Sequence, residues 1–140
     1  MKNFKDPTDA EVRRYFPDGW AGDVEDKLTA VGRSARENEA FDFVRKLATY
    51  RRDHPALHSG KLMQYLPQDD LYMYFRYDAT GTVMVASNTT DKAAALPTAS
   101  FSERMAGFTK ARNVLTSENL DSLATLQLPA KTAVVLELGK

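Results

Sequence analysis

Leu71-Tyr72-Met73-Tyr74-Phe75-Arg76-Tyr77-Asp78-Ala79-Thr80-Gly81-Thr82-Val83-Met84-Val85-Ala86-Ser87 is the stretch that decides the fold. Its two flanks are dominated by aromatic, β-branched and other apolar residues, and Asp78-Ala79-Thr80-Gly81 between them has turn chemistry, so the run predicts a β-hairpin. Backward along the chain, Pro67-Gln68-Asp69-Asp70 forms a second turn behind the strand Lys61-Leu62-Met63-Gln64-Tyr65. Asp favours turns because it bonds nearby backbone, so turn formation is the expected role of Asp69 and Asp70, ahead of paired-carboxylate catalysis. Forward, Ser100-Phe101, residues 111–115, residues 124–128 and Thr132-Ala133-Val134-Val135-Leu136-Glu137-Leu138 read as further short strands. Polar turns such as Thr116-Ser117-Glu118-Asn119 separate them. About six or seven strands at this spacing predict a mainly β fold, an antiparallel β-sandwich over residues 60–140. Alternation sends Glu137 to the face opposite Leu136 and Leu138, where a solvated position is expected.

Upstream of Gly60 the period is helical. Ser34-Ala35-Arg36-Glu37 is a capping box, in which the Ser hydroxyl accepts the Glu amide N–H and the Glu carboxylate accepts the Ser amide N–H. Ala40, Phe41, Val44, Leu47, Ala48 and Arg51 follow at three- and four-residue spacing, with Asp42, Arg45, Lys46 and Arg52 opposite. His54-Pro55 ends the helix, because the residue before proline is pushed out of the α region. Earlier still, Pro7 suits the first turn of a short helix running through Ala10-Glu11-Val12-Arg13-Arg14-Tyr15. Phe16-Pro17-Asp18-Gly19-Trp20-Ala21-Gly22-Asp23 is then turn chemistry around two bulky aromatics that such a loop does not bury by itself. About 33 residues without an evident core, followed by one helix with a stripe to bury, point to structure lying outside this chain.

Composition narrows the function classes. A chain of 140 residues with 43% hydrophobic and 27% charged residues has the balance of a soluble globular protein. Lys plus Arg and Asp plus Glu each number 19, so no net field draws it to nucleic acid or an anionic membrane, and neither is expected as a partner. The absence of cysteine removes disulfides, thiolate catalysis and Cys-based zinc sites together. No apolar run approaches the ~18 residues of a membrane helix. The opening residues lack a signal peptide's apolar core, so an export signal would lie upstream of Met1. The compartment stays open, periplasmic or cytoplasmic if the source is bacterial. There is neither internal repeat nor low-complexity segment.

The search for chemistry finds no catalytic motif. His54 and His58 stand four apart, but no His-Glu-x-x-His pattern accompanies them and Pro55 breaks the helix between them, so surface or boundary histidines are expected. There is no Gly-x-Ser-x-Gly elbow, no Gly-x-x-x-x-Gly-Lys-Ser/Thr loop and no Gly-x-Gly-x-x-Gly run. No catalytic residue, metal site or cofactor is therefore expected. Tyr65, Tyr72, Tyr74, Phe75 and Tyr77 offer faces on which a sugar or base could stack, yet cross-strand packing uses the same residues and is the expected role. Trp20 on its Gly-rich loop is open between packing on absent structure and touching a ligand.

The ordered set of segments resembles a known family. Val12-Arg13-Arg14-Tyr15-Phe16-Pro17-Asp18-Gly19-Trp20-Ala21-Gly22-Asp23, then Gly32-Arg33-Ser34 and Glu37-Asn38-Glu39-Ala40-Phe41, are similar to the α-amylase family of glycoside hydrolases, in its neopullulanase and cyclomaltodextrinase branch. Arg51-Arg52-Asp53-His54-Pro55-Ala56-Leu57, Tyr72-Met73-Tyr74-Phe75-Arg76 and Leu128-Pro129-Ala130 continue the likeness in the same order. Tyr15 stands where the family usually has Asp, and Asp18-Gly19 where it has Gly-Gly. The resemblance implies that residues 1–59 are the end of a catalytic (β/α)8 barrel, its post-strand-eight loop and last helix, and that residues 60–140 are the C-terminal all-β domain. It further implies a parent enzyme that hydrolyses α-1,4 glucosidic bonds in maltooligosaccharides, cyclodextrins or pullulan by a retaining mechanism. The partners it implies are the remainder of the barrel and, in the full-length enzyme, the α-glucan substrate. The family's catalytic carboxylates sit on earlier barrel strands and match no residue here, so the chain alone is expected to be non-catalytic, a structural support. Arg13 and Trp20 are the substrate-loop contacts that the likeness suggests. The alternative expectation is an α-glucan-binding module using exposed aromatics.

Overall fold

A computed structural model describes residues 16–140, so the expected helix over residues 10–15, Arg13 included, lies outside the described residues. The alternating hairpin forms as its residues dictate. Strands β2 (Leu71–Tyr77) and β3 (Thr82–Asn88) pair antiparallel from Leu71 opposite Asn88 to Tyr77 opposite Thr82. Asp78 closes the turn: its Oδ1 accepts the Thr80 N–H at 2.7 Å and the Gly81 N–H at 3.1 Å. The other strands are β1 (Lys61–Gln64), β4 (Ala94–Pro97), β5 (Lys110–Asn113), β6 (Asn119–Leu120), β7 (Thr125–Leu128) and β8 (Thr132–Gly139). They form an antiparallel six-stranded sheet ordered β1-β2-β3-β8-β5-β6 and a two-stranded sheet, β4-β7.

The period of two sorts the large sheet into faces. Met73 and Phe75 of β2, Met84 and Ala86 of β3, Leu136 and Leu138 of β8 and Ala111 of β5 point inward. Leu126 and Leu128 of the small sheet and Met105 close the core over them. Asn88 is the polar exception, almost fully buried. Its amide donates to the carbonyls of Lys92 (2.8 Å), Leu128 (3.1 Å) and Pro129 (3.1 Å), while its Oδ1 accepts the Thr90 N–H at 2.9 Å. Those bonds tie β3 to the connection between β7 and β8, and satisfaction of this kind is what makes a buried amide tolerable.

Two strand expectations need correction. Ser100 and Phe101 are not a strand: they end the 3-10 helix Thr98–Phe101, which runs into the helical turn Ser102–Met105. The strand that pairs with β7 is instead Ala94–Pro97, a short Ala- and Pro-containing segment at the sheet edge, where proline's missing N–H is harmless. Residues 111–115 are also shorter as a strand than expected. Asn113 Oδ1 accepts the N–H groups of Leu115 (2.9 Å) and Thr116 (3.3 Å), turning the chain there.

The capping box starts the long helix α1 (Ala35–Asp53): Ser34 N–H donates to Glu37 Oε2 at 2.7 Å and Glu37 N–H to Ser34 Oγ at 3.3 Å. Contacts divide the chain inside α1 into two compact units, Met1–Asp42 and Phe43–Lys140. In the first, Asn38 and Arg33 fasten the preceding loop. The Asn38 amide donates to the Ala30 carbonyl at 2.9 Å, and the Arg33 guanidinium donates to Asn38 Oδ1 at 2.9 Å and to the Lys27 and Leu28 carbonyls at 2.9 and 3.0 Å. Gly32 is required there, because a Cβ would stand 1.8 Å from the Asp26 carbonyl oxygen. In the second unit, Gly60 lets the chain leave the helical segment against the sheet, since a Cβ would lie 2.5 Å from the Ala56 carbonyl oxygen and 2.7 Å from that of Tyr77.

Candidate functional site

Three surfaces carry the residues on which function could rest. The first is the loop that presents Trp20. Asp23 organises it: its Oδ2 accepts the backbone N–H groups of Asp18, Gly19 and Trp20 at 3.1, 3.2 and 3.2 Å, and its own N–H donates to the Trp20 carbonyl at 2.9 Å. Gly19 (φ 89°) and Gly22 (φ 106°) take the left-handed conformations that this tight path requires. Trp20 is 72% exposed, and Val24 and Val31 are 99% and 96% exposed, so a hydrogen-bonded loop holds its apolar side chains in water. Asp18 Oδ1 is buried with no hydrogen-bond partner among the described residues, a state that normally has a compensating group.

The second surface is the far face of the large sheet, where α1 arrives. Tyr50 and His54, one turn apart, stack with ring centroids 3.7 Å apart. His54 Nδ1 lies 2.6 Å from the Tyr50 carbonyl, an acceptor only, so this nitrogen carries the proton and donates. Its Nε2 faces Glu137 Oε1 at 3.5 Å. Burial, and secondly the Glu137 carboxylate, push the Tyr50 phenol well above its ordinary range. Glu137 is on the face opposite Leu136 and Leu138, as alternation requires, but it is not simply solvated: α1 brings His54 to it, leaving it 39% exposed. Lys46, expected on the polar side, donates its ammonium to the Leu115 carbonyl. The docked face of α1 is thus Lys46, Tyr50 and His54 with half-buried Leu47, while Phe43 and Val44 are exposed. His58 is exposed and does not join His54. No group of three or more His, Cys, Asp or Glu side chains among the described residues is placed to hold a metal ion.

The third surface is a groove of about 400 Å³ between the hairpin joining β1 to β2 and the 3-10 helix Thr98–Phe101. Here the aromatic set divides. Phe75 is wholly buried, and Tyr65 packs edge-on to Phe75 and Phe101 with centroids 6.0 and 4.8 Å away. Tyr77 lies under the Arg104 guanidinium at 4.1 Å. These three pack, as expected. Tyr72 and Tyr74 point to the other face, 5.7 Å apart, and the Tyr72 hydroxyl donates to Gln64 Oε1 at 3.0 Å. The amides and the helical wall of this groove carry no motif signal, because they come from separate segments that only the fold brings together.

Comparison with known proteins gives the chain a context. The Cyclo-malto-dextrinase C-terminal domain family matches it over residues 62–137. Among solved structures, the α-amylase of Geobacillus thermoleovorans complexed with acarbose is 19% identical with a TM-score of 0.62, over 78% of this chain and 25% of that one. An Anoxybacillus α-amylase is 23% identical (TM-score 0.60; 72% and 22% covered), and AmyP in complex with maltotriose is 17% identical (TM-score 0.64; 76% and 22%). The trehalulose synthase MutB shares the fold as well, at 22% identity and a TM-score of 0.56 over 71% of this chain and 18% of that one. Identities this low establish the fold alone. The chain spans a quarter or less of the length of each of these proteins.

Proposed function

Because this chain belongs to the Cyclo-malto-dextrinase C-terminal domain family, we propose that it is the C-terminal region of an α-amylase-type enzyme hydrolysing α-1,4 glucosidic bonds in maltooligosaccharides, cyclodextrins or pullulan. In this reading residues 1–59 are the end of the catalytic barrel and residues 60–140 the β-domain that supports it. The barrel and the glucan substrate are the partners. The chain itself is non-catalytic, since the retaining mechanism needs two carboxylates about 5–5.5 Å apart and the family's own pair lies on earlier barrel strands.

The observation that carries the proposal is the two-sided character of α1. Its helical turns advance about 100° per residue, so Leu47, Tyr50 and His54 form one stripe and Val44 and Ala48 a neighbouring one. The first stripe is half-buried, whereas Val44 and Ala48 are exposed. A helix that is apolar over so wide an arc is built to be covered on both stripes. The exposed Trp20, Val24 and Val31 on a firmly bonded loop, and the Asp18 oxygen that has no partner among the described residues, support the same reading. Trp20 and Arg13 are then residues of the loop above the last barrel strand, where barrel enzymes place their substrate contacts.

The experiment is a pair of assays. The 140-residue chain mixed with maltoheptaose, β-cyclodextrin or pullulan is expected to release no reducing sugar, and the protein extended upstream through a complete barrel is expected to release it. Release by the chain alone overturns the non-catalytic reading. No release by the extended protein overturns the assigned activity.

A further inference from the structure

We propose that the groove between the end of α1 and the far face of β1 and β2 is a carboxylate clamp, in which Arg51 and Arg76 receive an Asp or Glu side chain from the barrel segment upstream of this chain. The inference rests on the reading that the chain continues a larger barrel-containing protein, and deepens it by naming the chemistry that the barrel must bring to this surface.

The two cations are fixed but not neutralised. Each guanidinium donates to a backbone carbonyl of the 3-10 helix Pro55–Leu57: Arg76 Nε–H to that of Ala56 at 3.2 Å, and Arg51 Nη1–H to that of Leu57. These acceptors are adjacent in the chain, so one turn holds both side chains beside the same groove, of about 330 Å³. A carbonyl carries no net charge, and neither arginine pairs with a carboxylate among the described residues. None of the residues that line the groove is acidic, and the rest of its wall is Leu57, Leu62, Tyr72 and Tyr74. Each guanidinium also keeps a two-nitrogen edge free, Nε with Nη2 in Arg51 and Nη1 with Nη2 in Arg76. Such forks match the two oxygens of a carboxylate, and they have no acceptor to offer a cation or an N–H group.

Position decides where the carboxylate comes from. Arg51 stands about two helical turns beyond Val44, so it ends the exposed stripe of α1 that carries Val44 and Ala48. A segment that covers this stripe therefore reaches the mouth of the groove. Leu62, 52% exposed on the edge strand β1, continues the uncovered apolar surface on the other side. The chain spans a quarter or less of its solved relatives, which leaves ample protein upstream to lie over both. An apolar cover alone would desolvate two unpaired guanidiniums at heavy cost, whereas a carboxylate set between them offsets it. The covering segment must then bring negative charge to this place.

Two measurements on the barrel-containing protein test the clamp, with the 140-residue chain as reference. Phenylglyoxal labels accessible guanidiniums, and peptide mass spectrometry reads each position. Arg51 and Arg76 should react about tenfold or more slowly in the barrel-containing protein, because the reagent reaches a covered side chain only when the contact opens. Carbodiimide is then applied to the Arg51→Lys and Arg76→Lys variants of that protein, each checked for an unchanged circular dichroism spectrum. It joins an amine to a carboxylate in direct contact, and at least one variant should yield an amide between the substituted position and an Asp or Glu upstream of Met1. Equal labelling in the two proteins overturns the clamp, and so does protection without that cross-link, which shows a cover that brings no carboxylate. If inorganic phosphate slows the labelling of the barrel-containing protein, the groove is open there to a free anion and the clamp again fails. Reducing-sugar release is read separately. A cross-link in a protein that releases no sugar overturns the assigned reaction and leaves the clamp standing, whereas release without protection overturns the clamp alone.

Discussion

Between Met73 and Leu138 this molecule hides its largest apolar side chains, and between Phe16 and Val44 it displays them. Phe75, Met84 and Leu136 have essentially no accessible surface, whereas Phe16, Trp20, Val24, Val31 and Val44 are all more than half exposed. Both regions are ordered by hydrogen bonds, so order alone does not separate them. The β-domain closes its core with two sheets of its own, while the loop and helix ahead of it are fastened chiefly by polar groups: Asp23 to three amides, Arg33 to two carbonyls, Ser34 with Glu37 in the capping box, and backbone bonds such as Lys27 N–H to the Pro17 carbonyl. A segment that is held in shape by polar groups and presents its apolar groups outward has the form of one half of an interface.

The comparison breaks most visibly in the core. Phe75→Ala removes a fully buried ring that meets Tyr65 and sits among Met84 and Leu136, and should lower unfolding free energy by about 3–5 kcal/mol. Urea unfolding followed by far-ultraviolet circular dichroism measures it. A loss below about 1 kcal/mol would mean that the sandwich does not carry the stability of the chain.

Much of that core was legible in the sequence, and the reasons are local. In β2, β3 and β8, alternation over seven or eight residues fixes which side chains face in. The capping box is equally local, and it is in place at Ser34 and Glu37. What was not legible depends on contacts between distant segments. Ala94–Pro97 has no alternation to read and becomes a strand because β7 lies beside it. Ser100-Phe101 looks extended by residue type but lies in a helical turn whose Thr98 hydroxyl donates to the Leu123 carbonyl at 2.6 Å. The docked stripe of α1 carries no hydrophobic pattern in the sequence because Tyr50 and His54 are amphipathic: each buries an aromatic body and keeps a polar tip. Of the site residues expected from the family likeness, Trp20 is in view and Arg13 lies outside the described residues.

A smaller effect sharpens the comparison at the capping box. Ser34→Ala should cost about 1 kcal/mol, the ordinary value of an N-cap, read as a loss of helical signal and of stability. Its partner gives a pH signature. The Glu37 carboxyl is held down to about 2, first by the Lys27 ammonium 2.9 Å away and then by the Ser34 N–H and hydroxyl. Since the folded value lies below the ordinary 4.5, the stabilisation is fully present above that pH and is lost as pH falls toward about 2. Titrating the Glu37 carboxyl by carbon-13 NMR should find that low midpoint in the natural chain. In Lys27→Met the midpoint should move up toward the ordinary value; an unmoved midpoint would show that the Ser34 bonds alone hold the carboxylate.

The smallest expected effect is the one that tells the two regions apart. Val31→Ser and Val44→Ser each replace a buried-type side chain with a polar one, and inside the sandwich such a change would rank among the severe ones. Here both side chains are exposed, so in the 140-residue chain each should change stability by less than about 0.5 kcal/mol. In the barrel-containing protein the same two substitutions should be clearly destabilising, because burial there would turn the hydroxyl into an unsatisfied group and remove apolar contact. Parallel thermal melts of both proteins measure the contrast. If Val31→Ser destabilises the short chain by more than about 1 kcal/mol, the N-terminal unit has a core of its own and its outward valines are not waiting for the barrel. If neither protein responds, the exposed stripe of α1 remains uncovered even in the barrel-containing protein, and the proposed division of labour between a supporting β-domain and a supported barrel fails at its contact surface.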